Sequence, residues 1–312
     1  MGIEEVLFPW ADSRGYRAAA APVSLLDEVC RSIESRRACG EIDAGFFQNN
    51  LSSFRYLQGC RIDAPASIIL IAMPRPAHIL EFSTRGRAIE TVIPPTYVRY
   101  RQVFEDVRVD LAAAAAIDSR FEILSAPLKA LANRMGLMAY GRNNVGYIDG
   151  MGSYFQLIGL LSDASVSDRA VQVRSEETAL GRCRECRICA AACPMGAIGL
   201  ERFLIHAEKC FTLYSESIDP IPEGHVPPSP QCLVGCLKCQ EVCPENRGRL
   251  KYERTGISFT EKETAEFLGL SADSQKGLHQ AADKLLPLGL SEDVLPFARN
   301  LRLALSHMTP AP

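Results

Sequence analysis

Cysteine is scarce in the first 175 residues of this 312-residue chain, where only Cys30, Cys39 and Cys60 occur. The start, MGIEEVLFPW, has no basic stretch followed by an apolar one, so no secretory leader is expected. Arg36-Arg37 lacks the apolar segment of a twin-arginine leader, and Val6 stands where a myristoylation signal needs serine or threonine. The longest apolar runs, around Ser67 to Met73 and Leu111 to Ile117, fall well short of the roughly 20 residues that span a bilayer. Charge of either sign is nearly balanced: 34 Lys and Arg against 37 Asp and Glu give a net −3. That balance argues against nucleic-acid binding through a broad basic face, while leaving room for a local basic pocket. No G-x-G-x-x-G follows a predicted strand, and Walker A, H-E-x-x-H and D-x-H-x-x-G runs are missing too. The five histidines (His78, His206, His225, His279 and His307) are scattered and read as surface or capping residues. With 47% hydrophobic and 23% charged residues, the chain reads as a folded, soluble protein of a reducing cytoplasm with no membrane association.

What is present first is a mixed α+β pattern. Ala66 to Met73 (ASIILIAM), ended by Pro74, predicts a buried strand. Val103, Val107 and Leu111 form one stripe of a helix expected from Tyr97 to Ala116, and Phe121 to Leu124 predicts another strand. Ser24 with Asp27, and Thr260 with Glu263, have capping-box spacing, and Gly269 is placed to end the second of these helices. Ser125 is expected to cap a helix that carries Pro127 in its first turn and ends at Gly136. Asp149 to Gly152 reads as a turn between two strands, Ser162 to Glu177 as a polar connector, and Ile218 to Pro230 as a loop. Three regions follow: 1–175 as an α/β domain, 176–250 as a cysteine-rich domain, and 251–312 as a helical tail packing on the core.

The other nine cysteines fall between 183 and 243. Cys183, Cys186, Cys189 and Cys193-Pro194 have the spacing C-x2-C-x2-C-x3-C-P of bacterial ferredoxins. Three thiolates two residues apart can wrap one loop around three corners of a cubane, and the fourth ligates the other cluster. Cys236, Cys239 and Cys243-Pro244 supply the reciprocal half. One [4Fe-4S] cluster then takes Cys183, Cys186, Cys189 and Cys243; the second takes Cys193, Cys236, Cys239 and either Cys210 or Cys232. Structural zinc usually pairs two C-x2-C knuckles around one ion and does not need these triple runs ending in Cys-Pro.

These segments carry a family resemblance. The run from Cys183 to Cys193, the stretch from Lys209 to Glu216, and Gly235 to Asn246 resemble the iron-sulfur block of epoxyqueuosine reductases, and reductive dehalogenases share the design. Ser125-Ala-Pro-Leu128, Gly136-Leu137, Gly141-Arg142-Asn143 and Gly152-Ser153 resemble further segments of that family in order. The resemblance implies a nitroreductase-like cobalamin-binding α/β domain joined to a ferredoxin-like domain with two [4Fe-4S] clusters and a short helical tail. It implies Cys210 as the remaining ligand of the second cluster. It also implies a base-off cobalamin reduced by the clusters, with Tyr140, Asn143, Tyr147 and Ser153 as cofactor-contacting candidates and Tyr97, Arg142 and Tyr154 as catalytic ones. The family's acidic residue before Ser-Ala-Pro is Leu124 here, and a leucine cannot transfer a proton. Together with the weak basicity and short tail, this favours a cobalamin-dependent reductase of a small substrate, fed by a low-potential donor such as ferredoxin or flavodoxin. The alternatives are an epoxyqueuosine reductase acting on tRNA, possible but disfavoured, and an electron-transfer or corrinoid-activating protein without its own catalysis.

Overall fold

The computed structural model describes residues 2–115, 119–167, 173–228, 230–271 and 275–306. Its first half runs α1 (Glu4–Ser13), β1 (Arg17–Pro22), α2 (Leu25–Ala38), β2 (Ser67–Pro74), β3 (Ala77–Thr84), β4 (Arg87–Ile93) and α3 (Tyr100–Ala115). Next come β5 (Phe121–Ile123), α4 (Leu128–Arg134), β6 (Ala139–Tyr140), β7 (Gly146–Tyr147) and β8 (Phe155–Ser162). The cysteine-rich stretch holds α5 (Ile188–Ala192), α6 (Phe211–Glu216) and α7 (Lys238–Glu241). The chain closes with β9 (Tyr252–Phe259), α8 (Glu261–Leu268), α9 (Gln275–Leu285) and α10 (Val294–Ser306).

Two compact units share these elements. The first comprises Met1–Pro74, Arg101–Arg187 and Leu200–Ile205; the second comprises Arg75–Tyr100, Ile188–Gly199 and His206–Pro312. They interleave along the chain, which a division drawn at fixed sequence boundaries does not express.

In the first unit, four antiparallel strands lie in the order β1-β2-β8-β5. The alternate side chains of β2 explain its unbroken apolar run. Ile68, Leu70 and Ala72 enter a core with Leu25, Leu26, Val29 and Leu131, from α2 and α4. Ile69, Ile71 and Met73 enter another with Leu7, Trp10, Val103, Val107 and Leu111, from α1 and α3. A strand covered on both faces needs apolar residues at every position, so no period-two alternation survives.

In the second unit, β3 pairs antiparallel with β4 and parallel with β9. The β3–β4 hairpin turns through Arg85 and Gly86 at φ 51° and 70°, the positive pair that a two-residue turn between twisted strands favours. Phe82 and Phe259 stack at its core with ring centroids 4.6 Å apart, and Phe267 packs tilted against both. Phe297, Ala298 and Leu301 of α10 join the same core.

Most expected elements are present, but the tail expected to be helical from 251 opens as strand β9 (Tyr252–Phe259), which adds to β3 before its helices begin. Helix α3 begins at Tyr100 rather than Tyr97, and Ala116 lies outside the described residues, as does part of the 162–177 connector. Thr260 and Glu263 form the reciprocal capping box, and Gly269 follows as the C-cap. Ser24 makes no side-chain cap, because its own φ −57° and ψ −22° are already helical. Ser125 does not cap α4 either: its carbonyl accepts from the Tyr56 N–H, and Pro127 precedes the first turn. The strands around Asp149 to Gly152 pair with other partners, β7 with β6 and β8 with β2 and β5. His78 is no surface residue: it lies within β3 with its side chain largely covered.

Candidate functional site

None of the cysteines between 183 and 243 is paired as a disulfide. Cys183 and Cys186 belong to the first unit, and Cys189, Cys193, Cys210, Cys232, Cys236, Cys239 and Cys243 to the second. Within the second unit, burial and the neighbouring Cys210 and Cys193 push the Cys236 thiol up. The Ala197 N–H donates to Cys193 Sγ at 3.3 Å, a contact of the kind that tunes iron-sulfur potentials. A shallow, solvent-open depression lies against the second cysteine run, lined in part by Pro194, Phe211, Cys232, Cys236 and Lys238. The donor set suits soft iron-sulfide clusters, which take thiolate sulfur as their ligand. Among the described residues, no three Cys, His, Asp or Glu side chains converge to hold a single metal ion.

Cys210 and Cys232 both neighbour this run. Cys210 immediately precedes α6, with extended backbone at φ −70° and ψ 125°. Cys232 is 7% exposed, bridges to Val92 of β4, and has its thiol pushed up to about 12 by burial and by Cys236.

Arg142, in the turn between β6 and β7, reaches the segment of the first cysteines. Its guanidinium donates to the carbonyls of Cys183, Arg184, Cys186 and Leu200. Asn143 and Tyr147 are brought together, the amide donating to the phenol oxygen at 2.9 Å. Gly141 lets them meet: a Cβ there would stand 2.5 Å from the Tyr147 ring and 2.6 Å from Asn143 Oδ1. Tyr140 packs edge-on against Phe203 with ring centroids 5.3 Å apart. Ser153 and Tyr154, just before β8, are buried as well. Tyr97 belongs to the second unit, where it donates to Glu216. Burial and the Glu216 carboxylate hold its phenol well above the ordinary range.

Leu124 is 3% exposed and packs in the core beside α4. Asn144 Nδ2 is a buried donor without an acceptor, in a residue held at φ 58°. The sequence pattern does not single out Asn144, Ser215 or Asn300. The last of these shows only as a polar residue inside an apolar helical face.

Comparison with known proteins places these features. Residues 182–246 match the family described as a 4Fe-4S double cluster binding domain. Epoxyqueuosine reductase from Staphylococcus aureus is 27% identical over 57% of this chain and 44% of its own length. The enzyme of the same name from Shewanella oneidensis is 30% identical over 57% of this chain and 43% of its own. The aligned segment thus spans less than half of these relatives. Among solved structures, epoxyqueuosine reductase from Bacillus subtilis, with its catalytic aspartate loop swung out of the active site, superposes with TM-score 0.68 at 20% identity. That superposition covers 98% of this chain and 81% of the other. An epoxyqueuosine reductase solved with an epoxyqueuosine-modified tRNA stem loop has TM-score 0.67 at 19% identity, covering 98% and 81%.

These findings overturn the expectation of a small substrate and of a chain that disfavours tRNA. The relatives are named for a modified nucleoside of tRNA, and one neighbour holds such a stem loop. A net −3 sums the whole chain and carries no information on local patches: exposed Arg182, Arg184 and Arg187 fall within one six-residue stretch. Among the described residues no helix is long and apolar enough to cross a membrane. The chain is epoxyqueuosine reductase-like, with a mixed α/β fold shared with those enzymes and a 4Fe-4S double cluster binding domain at residues 182–246.

Proposed function

We propose that this chain is an iron-sulfur reductase that removes the epoxide oxygen of epoxyqueuosine in tRNA. The observation that carries the reading is the superposition of 98% of the chain on epoxyqueuosine reductases, joined to the cysteine block of residues 182–246. Opening the epoxide to an alkene takes two electrons and two protons and releases water. Two four-iron clusters, passing electrons singly from an external low-potential reductant, suit that demand.

We assign Cys183, Cys186, Cys189 and Cys243 to one cluster and Cys193, Cys210, Cys236 and Cys239 to the other. Cobalamin would supply a strongly reducing, nucleophilic cobalt centre, with the protein orienting it. The unsatisfied Asn144 amide fits a group rich in carboxamide acceptors. Tyr140, Asn143, Tyr147 and Ser153, on the same short strands and turns, would frame that site in a nitroreductase-like unit. Arg142 orients the first cysteine segment rather than donating protons, since four carbonyls engage its guanidinium. Tyr97 is a poor acid because its proton already serves Glu216. Tyr154 remains the candidate proton donor, in place of the acid that Leu124 cannot supply.

The test is anaerobic reconstitution with iron, sulfide and cobalamin, then incubation with epoxyqueuosine-containing tRNA and a low-potential reductant. Queuosine should appear in the digested nucleosides, and Tyr154→Phe should slow its formation at unchanged iron content. Protein holding both clusters and cobalamin but leaving epoxyqueuosine intact would overturn the reading.

A further inference from the structure

An asparagine on a core-facing helix is costly unless each of its polar atoms finds a partner. In α10, Val294, Phe297, Ala298 and Leu301 form an apolar stripe, and Asn300 beside them is only 1% exposed. Its amide nitrogen donates to the carbonyls of Ser215 and Leu233, both at 2.9 Å. Its amide oxygen accepts from Arg299 Nε at 3.2 Å and Nη2 at 3.1 Å. The two carbonyls lie on different segments. Ser215 is in α6, five residues after Cys210, and Leu233 is three residues before Cys236.

A second tie joins the same segments directly. Ser215 Oγ accepts from the Gly235 N–H at 2.7 Å, and Ser215 is fully buried. Gly235 holds φ 68°, a conformation that glycine adopts without strain. Arg299 adds a third, donating to the carbonyls of Tyr214 at 2.8 Å and Ser215 at 3.3 Å. Leu233, Val234 and Phe297 close the apolar side.

We propose that Asn300 and Ser215 are positioning residues for the second cluster, fixing the Cys210 arm against the Cys236 arm before the metal arrives. The inference rests on the assignment of Cys210 as a ligand. It makes the C-terminal helix, remote in sequence from every cysteine, part of the cluster's scaffold. Asn300→Asp keeps the shape but removes both donors and sets a carboxylate against two carbonyls. Ser215→Ala removes the acceptor for the Gly235 N–H.

The experiment compares iron and acid-labile sulfide per chain, and the electron paramagnetic resonance of the reduced clusters, in anaerobically reconstituted full-length variants. Wild type should hold about eight irons, and Asn300→Asp about four with one of two cluster signals lost. Cys210→Ser, the control for the ligand assignment, should also hold about four, and if it keeps about eight the premise falls. If Cys210→Ser loses a cluster while Asn300→Asp keeps both with unchanged midpoint potentials, the positioning role is overturned and the assignment stands. Should Asn300→Asp fail to fold, Ser215→Ala decides. Its second cluster should be stripped by chelator several-fold faster than in wild type, with Ser215→Thr restoring the slower rate. Equal rates in all three would overturn the proposal.

Discussion

Arg142 Nε donates to the Cys186 carbonyl at 2.9 Å, and the same guanidinium reaches the carbonyls of Cys183, Arg184 and Leu200. One side chain from the β6–β7 turn thus gathers three carbonyls of the first cysteine segment together with that of Leu200, further along the chain. Arg142→Ala removes every one of these bonds and should cost about 1–3 kcal/mol, with iron content falling as the first cysteine loop loosens. Arg142→Lys offers a single ammonium in place of a planar fork and should recover only part of the loss. Thermal melts and iron assays on the two variants check this; equal iron in all three proteins would refute it.

Leu124 occupies the position where the resemblance expects an acid, yet it is buried in the core of the first unit. Its N–H bonds the Gly159 carbonyl, and its Cβ stands 3.4 Å from where a side chain on Gly159 would begin. Leu124→Asp places an unpaired carboxylate in an apolar site and should destabilise the chain by at least about 3 kcal/mol. No gain in epoxide reduction is expected. A variant that melts like wild type and turns over faster would show that this side chain can leave the core and reach substrate.

At Gly235 two constraints coincide. Its φ is 68°, and a Cβ would stand 2.7 Å from Tyr97 Oη. Gly235→Ala should cost roughly 1–3 kcal/mol through backbone strain. Adding Tyr97→Leu relieves the clash but not the strain, so the double variant should recover only partly. Full recovery would assign the whole cost to the tyrosine.

The double-cluster domain was legible because each thiolate run is local: the spacing C-x2-C-x2-C-x3-C-P fits one loop to one cubane wherever the rest of the chain goes. Strand β2 was legible as a continuous apolar run ended by proline. The placements of Arg142 and Ser125 were not, since each bonds backbone groups that are 41 to 58 or about 70 residues away. Spacing along a chain carries no record of such contacts. Net charge was a weak guide against nucleic acid for a related reason: a whole-chain charge averages over local clusters such as Arg182, Arg184 and Arg187. Ser24 failed as a cap because capping depends on a backbone torsion that residue identity does not determine.

His78 should make stability depend on pH. It sits in β3 between Ile93 of β4 and Glu253 of β9, with a buried Nδ1 that has no partner. Burial and the neighbouring Arg75 lower its pKa from 6.5, and Glu253, 3.8 Å from Nε2 and largely solvated, opposes them weakly. The folded chain therefore favours the neutral ring. Above pH 6.5 folded and unfolded chains both carry it uncharged, and its contribution to stability is intact. As pH falls below 6.5 the unfolded chain takes up a proton that the folded chain resists, so stability declines toward the depressed folded pKa. His78→Asn removes the titrating group while keeping a polar side chain of similar reach. Between about pH 7.5 and about pH 5.5, wild type should lose more melting temperature than His78→Asn, with the curves diverging only on the acid side. Parallel declines would mean that another group carries the acid sensitivity and that the His78 ring is tolerated in both charge states.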